Sequence, residues 1–423
     1  MLQAIYTGIS GLMSQQNGID VTSNNLANVD AVGFKGNSIE FKSLFETALT
    51  SASSASPVDS SIGLGSTLQA TPTIMKEGSI SNTDSPTDLS IGGNGWFGIQ
   101  GNGQTMYTRN GVFNFDANRT LVNADGYAVM GTLASNYNSN NVLTSMQNST
   151  NLGAVGSQVP ITLPQTLTYP AQATTQATFS GNLGVDPTTP QVMSTTVIDA
   201  KGNKNALTLT FTQTVPQPAS GVSWDVTATT TSPAQTGIAP TVYDTKTGVV
   251  TFDSQGALTS STLSSISNNG SSVSINLGTG FAGLTSNTNT VSSASQADGR
   301  AAGNLLGYKI DQNANVVATF SNGEQVSMAK IAVYHFQNDQ GLNNVNGTNF
   351  TQSANSGNPL FYKDSQGNNI NSSTVLTNTL ESSNVDPAAG LTDLIIYQRA
   401  YDAASKLITT GDQMIQKALQ MHR

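Results

Sequence analysis

A chain of 423 residues is long enough for two to four domains. Only 10% of its side chains are charged, with 40 glycines and no cysteine, which excludes disulfides and thiolate chemistry and favours β-structure and turns. The net charge of −9 argues against nucleic acid or an anionic membrane as a partner, and no run of about 18 apolar residues is present to span a bilayer.

Residues 1 to about 28 have helical spacing. Leu2, Ile5, Ile9, Leu12, Ile19 and Leu26 share one face, and the small residues Ala4, Gly8, Gly11 and Gly18 share another. No charged side chain precedes Asp20, so this helix is poorly suited to facing water. Each glycine costs about 1 kcal/mol relative to alanine, so it is not expected to be stable alone. The opening also lacks the basic start and apolar block of a secretory signal. An exported protein of this kind is expected to leave by another route.

The Asn- and Gly-rich stretch from Ser23 to Phe41 ends the helix, and a connector follows. From 64 to 145 short β-branched and aromatic runs alternate with Gly and Pro. Asn110-Gly111 and Asp125-Gly126 are expected hairpin turns. Residues 146–300 are richer in Ser and Thr, with turns expected at Lys201-Gly202 and Gln255-Gly256. The hydrophobic strand texture returns over 301–378. The expected organisation is therefore nested. An N-terminal helix and connector (1–63) precede an inner β-domain in two parts (64–145 and 301–378). An outer β-domain (146–300) is inserted between those parts, and a C-terminal helical segment (379–423) closes the chain. The fold class is mainly β with paired helical termini.

The final helix should start at Asp386, a good N-cap, followed by Pro387 in the first helical position. Its side chains sort into two apolar stripes. One is Leu391, Leu394, Tyr401, Ile408, Ile415 and Leu419; the other runs through Ile396, Ala404, Leu407, Met414 and Met421. Arg399, Lys406, Gln413 and Gln420 belong to a narrow polar row. A helix on the surface of a compact domain usually carries one apolar stripe. Two stripes predict two partners: the N-terminal helix of the same chain, and a neighbouring copy. The expected self-assembly core is Leu2, Ile5, Ile9, Leu12 and Ile19 with Leu391, Leu394, Tyr401, Leu407, Ile408, Ile415 and Leu419.

No constellation for catalysis stands out. Gly93-Asn94-Gly95-Trp96-Phe97-Gly98 fits G-x-G-x-x-G, but strand and turn follow it rather than a helix, so a glycine-rich β-corner is the better reading. The two histidines, His335 and His422, offer too little for a hydrolase triad or a metal centre. Many carboxylates sit in turns, where turn chemistry accounts for them. Neither catalysis, a cofactor nor a metal is expected.

NNLANVDAVGFK (Asn24 to Lys35) is similar to a signature shared by the rod, hook and hook-associated axial proteins of the bacterial flagellum. Asn25, Leu26, Ala27, Asn28, Gly33, Phe34 and Lys35 carry that likeness. DLSIGGNGWFGIQ, YTRNGVFNFDANRTLVNADGYAVMG and IAVYHFQNDQGLNNVNGTNFTQSANSG resemble the β-domain of that family, and Leu380 to Leu419 resembles its C-terminal helix. In the middle, ATFSGNLGVDP, TTVIDAKGNKNALTLTFTQ and FDSQGALTS resemble the outer domain of the hook members. The likeness implies a structural polymer of the flagellum outside the cell, exported without a cleaved signal. It also implies a curved, flexible tube that transmits torque from rod to filament. The implied partners are further copies of the chain, the rod, a hook cap and the hook–filament junction proteins. Two alternatives stay open: a distal rod subunit, which would form a straight tube, and a secreted β-rich adhesin or enzyme.

Overall fold

The computed structural model describes residues 2–44, 46–48, 61–101, 103–185, 189–234, 236, 239–371 and 373–421. Two helices, α1 (Leu2–Ala27) and α2 (Pro387–Met421), bracket a chain that is otherwise β. The fold class expected from the sequence is the one observed.

The larger sheet is assembled from both halves of the chain. Its order is Thr168–Tyr169, Gly303–Ile310, Asn315–Phe320, Gln325–Ile331, Ala128–Leu133, Trp96–Gly101, Gln104–Thr108, Asn349–Thr351 and Asn343–Asn346. The two halves meet where Gly131, Thr132 and Leu133 pair with Ile331, Lys330 and Ala329. Phe97, Ile99, Phe113, Val129, Ala329 and Ile331 are buried in one continuous core across that seam. Covering it removes the apolar face of each half from water, so neither half has a complete core alone.

The second sheet runs from Gln176 to Ala297 and pairs only with itself. Its long meander, Gln191–Ile198, Lys204–Gln213, Val222–Thr231 and Val242–Phe252, alternates buried and half-buried side chains along the second and third strands. Trp224, Phe211, Leu209 and Phe179 fill its own core. Its first strand, Gln176–Asn182, pairs antiparallel with its last, Ser292–Ala297. Ser295 Oγ then donates to Ser194 O at 2.7 Å, so the sheet curls back on itself. Entry and exit also meet at Gln172 and Arg300, which exchange both backbone hydrogen bonds. Adjacent ends are what let a domain sit inside another without disturbing it.

Two sequence expectations need correction here. The first concerns the start of the second sheet, expected near 146. Residues 146–175 stay with the first sheet: Val159–Pro160 pairs Met130 and Gly131, Thr168–Tyr169 pairs Asn304 and Gly303, and Leu152, Ile161, Leu163 and Leu167 are buried. The Ser/Thr-rich texture of this stretch hid its few, widely spaced core residues. The second concerns Asn110-Gly111, which is not a hairpin turn. Gln104–Thr108 pairs with Trp96–Gly101 and with Asn349 and Phe350, whereas Phe113–Phe115 pairs with Leu121–Asn123. Gly111 serves close approach instead: a Cβ there would lie 1.7 Å from Leu89 O.

The other three expected turns are hairpins, and they share a device. Asp199 Oδ1 accepts the N–H groups of Lys201 and Asn203, and Gly202 between them has φ 85°. The same arrangement recurs from Asn123 (Gly126, φ 79°) and Asp253 (Gly256, φ 84°). It recurs again from Asp116, Asp311 and Asp364, with Arg119, Ala314 and Gly367 as the left-handed residue. The carboxylate or carboxamide replaces the partner that the turn's own backbone lacks. This accounts for the carboxylates that sit in these turns.

Candidate assembly interface

The helix pair is built on glycine. α1 and α2 run antiparallel, with Ile5 beside Gly411, Gly8 beside Ile408, Gly11 beside Ala404 and Gly18 beside Tyr397. A Cβ on Gly8 would lie 2.9 Å from Ile408 Cγ1, and one on Gly18 would lie 2.9 Å from Tyr397 Cδ1. The glycines that weaken α1 as an isolated helix are therefore what admit the side chains of α2.

A second face of α1 is held by hydrogen bonds. Ser14 Oγ donates to Ser66 O at 2.9 Å, and Ser66 Oγ donates to Ser14 Oγ at 3.1 Å. Ser66–Ala70 pairs with Glu40–Ser43 in a two-stranded ribbon laid along the helix. A Cβ on Gly65 would lie 1.9 Å from Ser10 Oγ, so this crossing also needs glycine.

The expected core residues divide once placed. Leu394, Tyr401, Ile408 and Ile415 are half-buried along the side of α2 that faces α1. Ile5, Leu12 and Ile19 are half-buried on α1. Leu391, Leu407 and Leu419 are exposed, and Ile9 is partly so at 37%. The side chain of Leu2 lies outside the described residues. Of the two stripes on α2, the one through Leu394 and Ile408 packs within the chain. The other leaves Ile396, Leu407 and Met414 more than half exposed, although its Ala404 is buried. On α1, Tyr6, Ile9 and Met13 form a matching exposed row, which with Leu44 and Leu64 lines an apolar hollow of about 520 Å³. Arg399, Lys406, Gln413 and Gln420 are all exposed on the far side of α2.

The motif after α1 anchors this pair to the larger sheet. Asn25 works as a strand-like partner: its Nδ2 donates to Asn37 O at 2.7 Å and its Oδ1 accepts Asn37 N at 2.9 Å. Asn28 Nδ2 donates to Asn24 O and holds the last turn, while Leu26 is half-buried and Ala27 exposed. Gly33, at φ 69°, donates its N–H to Glu381 O at 2.7 Å, and a Cβ there would lie 2.5 Å from Asn110 N. Phe34 is buried beside it. Lys35 Nζ reaches Glu381 Oε1 at 2.5 Å and also donates to Lys76 O at 2.9 Å.

Glu381 is the centre of a buried charge cluster. Its Oε2 accepts from Arg109 Nη1 at 3.2 Å, and its Oε1 also accepts from Gly78 N–H at 3.0 Å. Arg109 Nη2 donates to Gly93 O, and its guanidinium lies 5.6 Å from the Trp96 ring centre. All three charged side chains are at most 4% exposed. Burial holds the Lys35 ammonium below its usual pKa, and the Glu381 carboxylate opposes that shift. Five residues later Asp386 Oδ1 accepts Ala388 N and Ala389 N and starts α2 as the sequence indicated. Nearby, Asn384 ties the two chain ends together, accepting Gly36 N and donating to Ile74 O and Lys76 O.

The sequence alone does not single out Glu381, Arg109 and Asn384 as a site. Glu381 and Arg109 lie in stretches that resemble the axial family, as Lys35 does. The available signal was charge: in so weakly charged a chain, a lysine flanked by Phe34 and Gly36 calls for a buried carboxylate. The G-x-G-x-x-G stretch is the β-corner expected, with Gly93 and Gly95 at φ 104° and 149° between Leu89–Gly92 and Trp96–Gly101.

Three family models match, in an order that follows the architecture. Residues 5–35 match the flagella basal body rod protein, 90–182 the flagellar hook protein FlgE/F/G D1 domain, and 376–421 the flagellar basal body rod FlgEFG protein C-terminal domain. The flagellar hook protein FlgE of Brucella suis is 30% identical, over 99% of this chain and 98% of that protein. That of Salmonella typhimurium is 30% identical over 96% and 97%, and that of Borreliella burgdorferi 28% over 100% of both. The crystal structure of Helicobacter pylori flagellar hook protein FlgE2 aligns with a TM-score of 0.52. It covers 71% of this chain and 100% of that one at 16% identity, which speaks to the fold alone. With full-length relatives at 30% identity and terminal helices, inner sheet and inserted sheet all in place, the chain belongs to the flagellar hook protein FlgE family.

Proposed function

We infer that the chain is a structural subunit of the bacterial flagellar hook and that it polymerises through its paired terminal helices. The observation that carries this is the apolar surface left on the pair after it has packed: Tyr6 and Met13 on one helix, and Ile396, Leu407 and Met414 on the other. Rows of this kind mark a protein interface. A contact between two unlike surfaces of successive copies does not close on itself and generates a helical filament. In this reading the helices form the inner layer of a short, curved tube. The larger sheet (within residues 64–175 and 301–378) lies outside it, and the inserted sheet is outermost. The polar row Arg399, Lys406, Gln413 and Gln420 would then face a central channel.

The weakly charged surfaces of the β-domains suit subunits that slide past one another as the tube bends, since ion pairs would fix their register. Torque transmission, export without a cleaved signal, and contacts with rod, hook cap and hook–filament junction proteins follow from the family and belong to the same proposal. So does a role without catalysis or cofactor. The helix pair also buries too few large apolar side chains to offset the entropy of ordering about sixty residues, so its full order is expected on assembly.

The test is electron microscopy of the purified protein after polymerisation in vitro. A curved tube is expected, whereas a straight one would assign the chain to the rod instead. Leu407→Asp should block assembly while the circular dichroism and melting of the monomer stay unchanged, because Leu407 is 57% exposed. Normal assembly by this variant would overturn the helix-core model.

A further inference from the structure

We propose that Asn346, at the tip of the hairpin joining Asn343–Asn346 to Asn349–Thr351, is the preferred site of spontaneous deamidation in the folded chain among the Asn-Gly pairs of the described residues. The reaction is internal. The Gly347 nitrogen loses its proton and attacks the Asn346 side-chain amide carbon. A new N–C bond closes a succinimide as the bond to the amide nitrogen breaks and ammonia leaves. Water then opens the imide at either carbonyl, giving aspartate or isoaspartate. No oxidant or other co-reactant is needed. The following residue must be small enough to let the ring close, and the amide must be free to turn.

Asn346 meets both conditions. It and Gly347 are exposed, and a Cβ on Gly347 would meet nothing within 4 Å. Gly347 stands at φ 57° in the tight turn between paired Asn346 and Asn349. Among the described residues Asn346 makes no side-chain hydrogen bond; the contact in this turn is from Asn344 Nδ2 to Gly347 O.

The five other Asn-Gly pairs among the described residues are restrained (Asn102 lies outside them). At Asn94-Gly95 the backbone is enclosed, since a Cβ on Gly95 would lie 2.6 Å from Val333 Cγ1. Asn269 Nδ2 is held by Asp199 Oδ2 at 2.7 Å. Asn322 donates to Ala301 O and accepts Glu324 N, while Gly323 N is bonded to Phe320 O. Asn110 Oδ1 accepts Val112 N, and Gly111 is wedged against Leu89 O. Asn17 lies inside α1. The position has a consequence. Gly347, Asn343 and Asn344 line one side of a cleft of about 720 Å³ whose other side includes Asn24, Asn28 and Asn37. Deamidation places a carboxylate at the rim of this uncharged carboxamide cleft, between the base of α1 and the sheet edge. Because it runs one way, it marks the age of a subunit.

The experiment is incubation of the full-length monomer at mildly alkaline pH, followed by peptide mapping that separates asparagine, aspartate and isoaspartate at each Asn-Gly pair. In the folded protein Asn346 should convert about tenfold faster than Asn269, whose amide must first break a hydrogen bond to a carboxylate. In urea the difference should disappear, because the dipeptides are alike. Conversion of Asn269 or Asn322 as fast as Asn346 in the folded chain would overturn the proposal. So would a preference for Asn346 that persists in urea, which would assign it to neighbouring sequence rather than to the fold.

Discussion

Replacing Glu381 by alanine should separate the two ends of the chain from the larger sheet. The side chain is 1% exposed and accepts three hydrogen bonds, from Lys35, Arg109 and the Gly78 amide. Its removal leaves two buried cations facing each other without a counter-charge. Breaking a buried ion pair in this way costs about 3–5 kcal/mol, whereas an exposed pair contributes about 1 kcal/mol or less. Replacing all three side chains by apolar ones of similar size, Lys35→Met with Arg109→Met and Glu381→Leu, should restore much of that loss, since the desolvation of the charges disappears with them. The assay is urea unfolding followed by tryptophan fluorescence. Trp96 packs beside Arg109 and reports on the larger sheet, and Trp224 lies in the core of the inserted sheet, so Trp224→Phe isolates the relevant signal. The pH dependence gives an independent check. Burial already lowers the Lys35 pKa, and without Glu381 it falls further. The unfolded chain then binds more protons than the folded one between the lowered value and 10.5, so stability of the variant should rise with pH through that window. A loss below about 1 kcal/mol for Glu381→Ala, or no rescue by the triple variant, would refute the reasoning.

In the assembled polymer, Gly8→Ala or Gly18→Ala should lower the melting temperature of the helical signal, because overpacking against Ile408 or Tyr397 costs about 1–3 kcal/mol and outweighs the gain in helix propensity of about 1 kcal/mol. Gly390→Ala, with nothing within 4 Å of its would-be Cβ, should raise it. Asp199 ties two hairpins of the inserted sheet. Burial alone would raise its carboxyl, but hydrogen bonds from Asn203, Asn269 and Lys201 bring it down to about 2. This contribution, about 2 kcal/mol, should be fully present above the ordinary value near 3.8 and be lost as pH falls towards 2. Asp199→Ala should lose it at neutral pH, as read by Trp224 fluorescence during unfolding.

The parts of this fold that the sequence reveals are those where chemistry and spacing are local. Asp386 followed by Pro387 declares the start of α2 because cap and first turn lie within four residues. Lys201-Gly202 and Gln255-Gly256 declare their hairpins because an aspartate two residues before each pair completes the turn. Asn110-Gly111 has the same dipeptide signal and is no hairpin turn, since its glycine is fixed by Leu89 O, a contact with a strand twenty residues away. The start of the inserted sheet is hidden from the sequence for a related reason: Ile161 and Leu167 are recognisable as core residues only once Met130 and Gly303 lie beside them. The helix pair shows the limit most clearly. Spacing identified two apolar stripes on α2, but a helical pattern does not say which stripe meets the partner. Gly8, Gly11 and Gly18 decide it. Read alone they weaken α1; read against Ile408, Ala404 and Tyr397 they form a groove that takes a face cutting across both stripes and leaves Leu407 and Met414 outside. Such a groove binds one face of a helix and leaves the opposite flank exposed. A glycine row and a doubly striped helix are thus one feature, seen from the two ends of the chain.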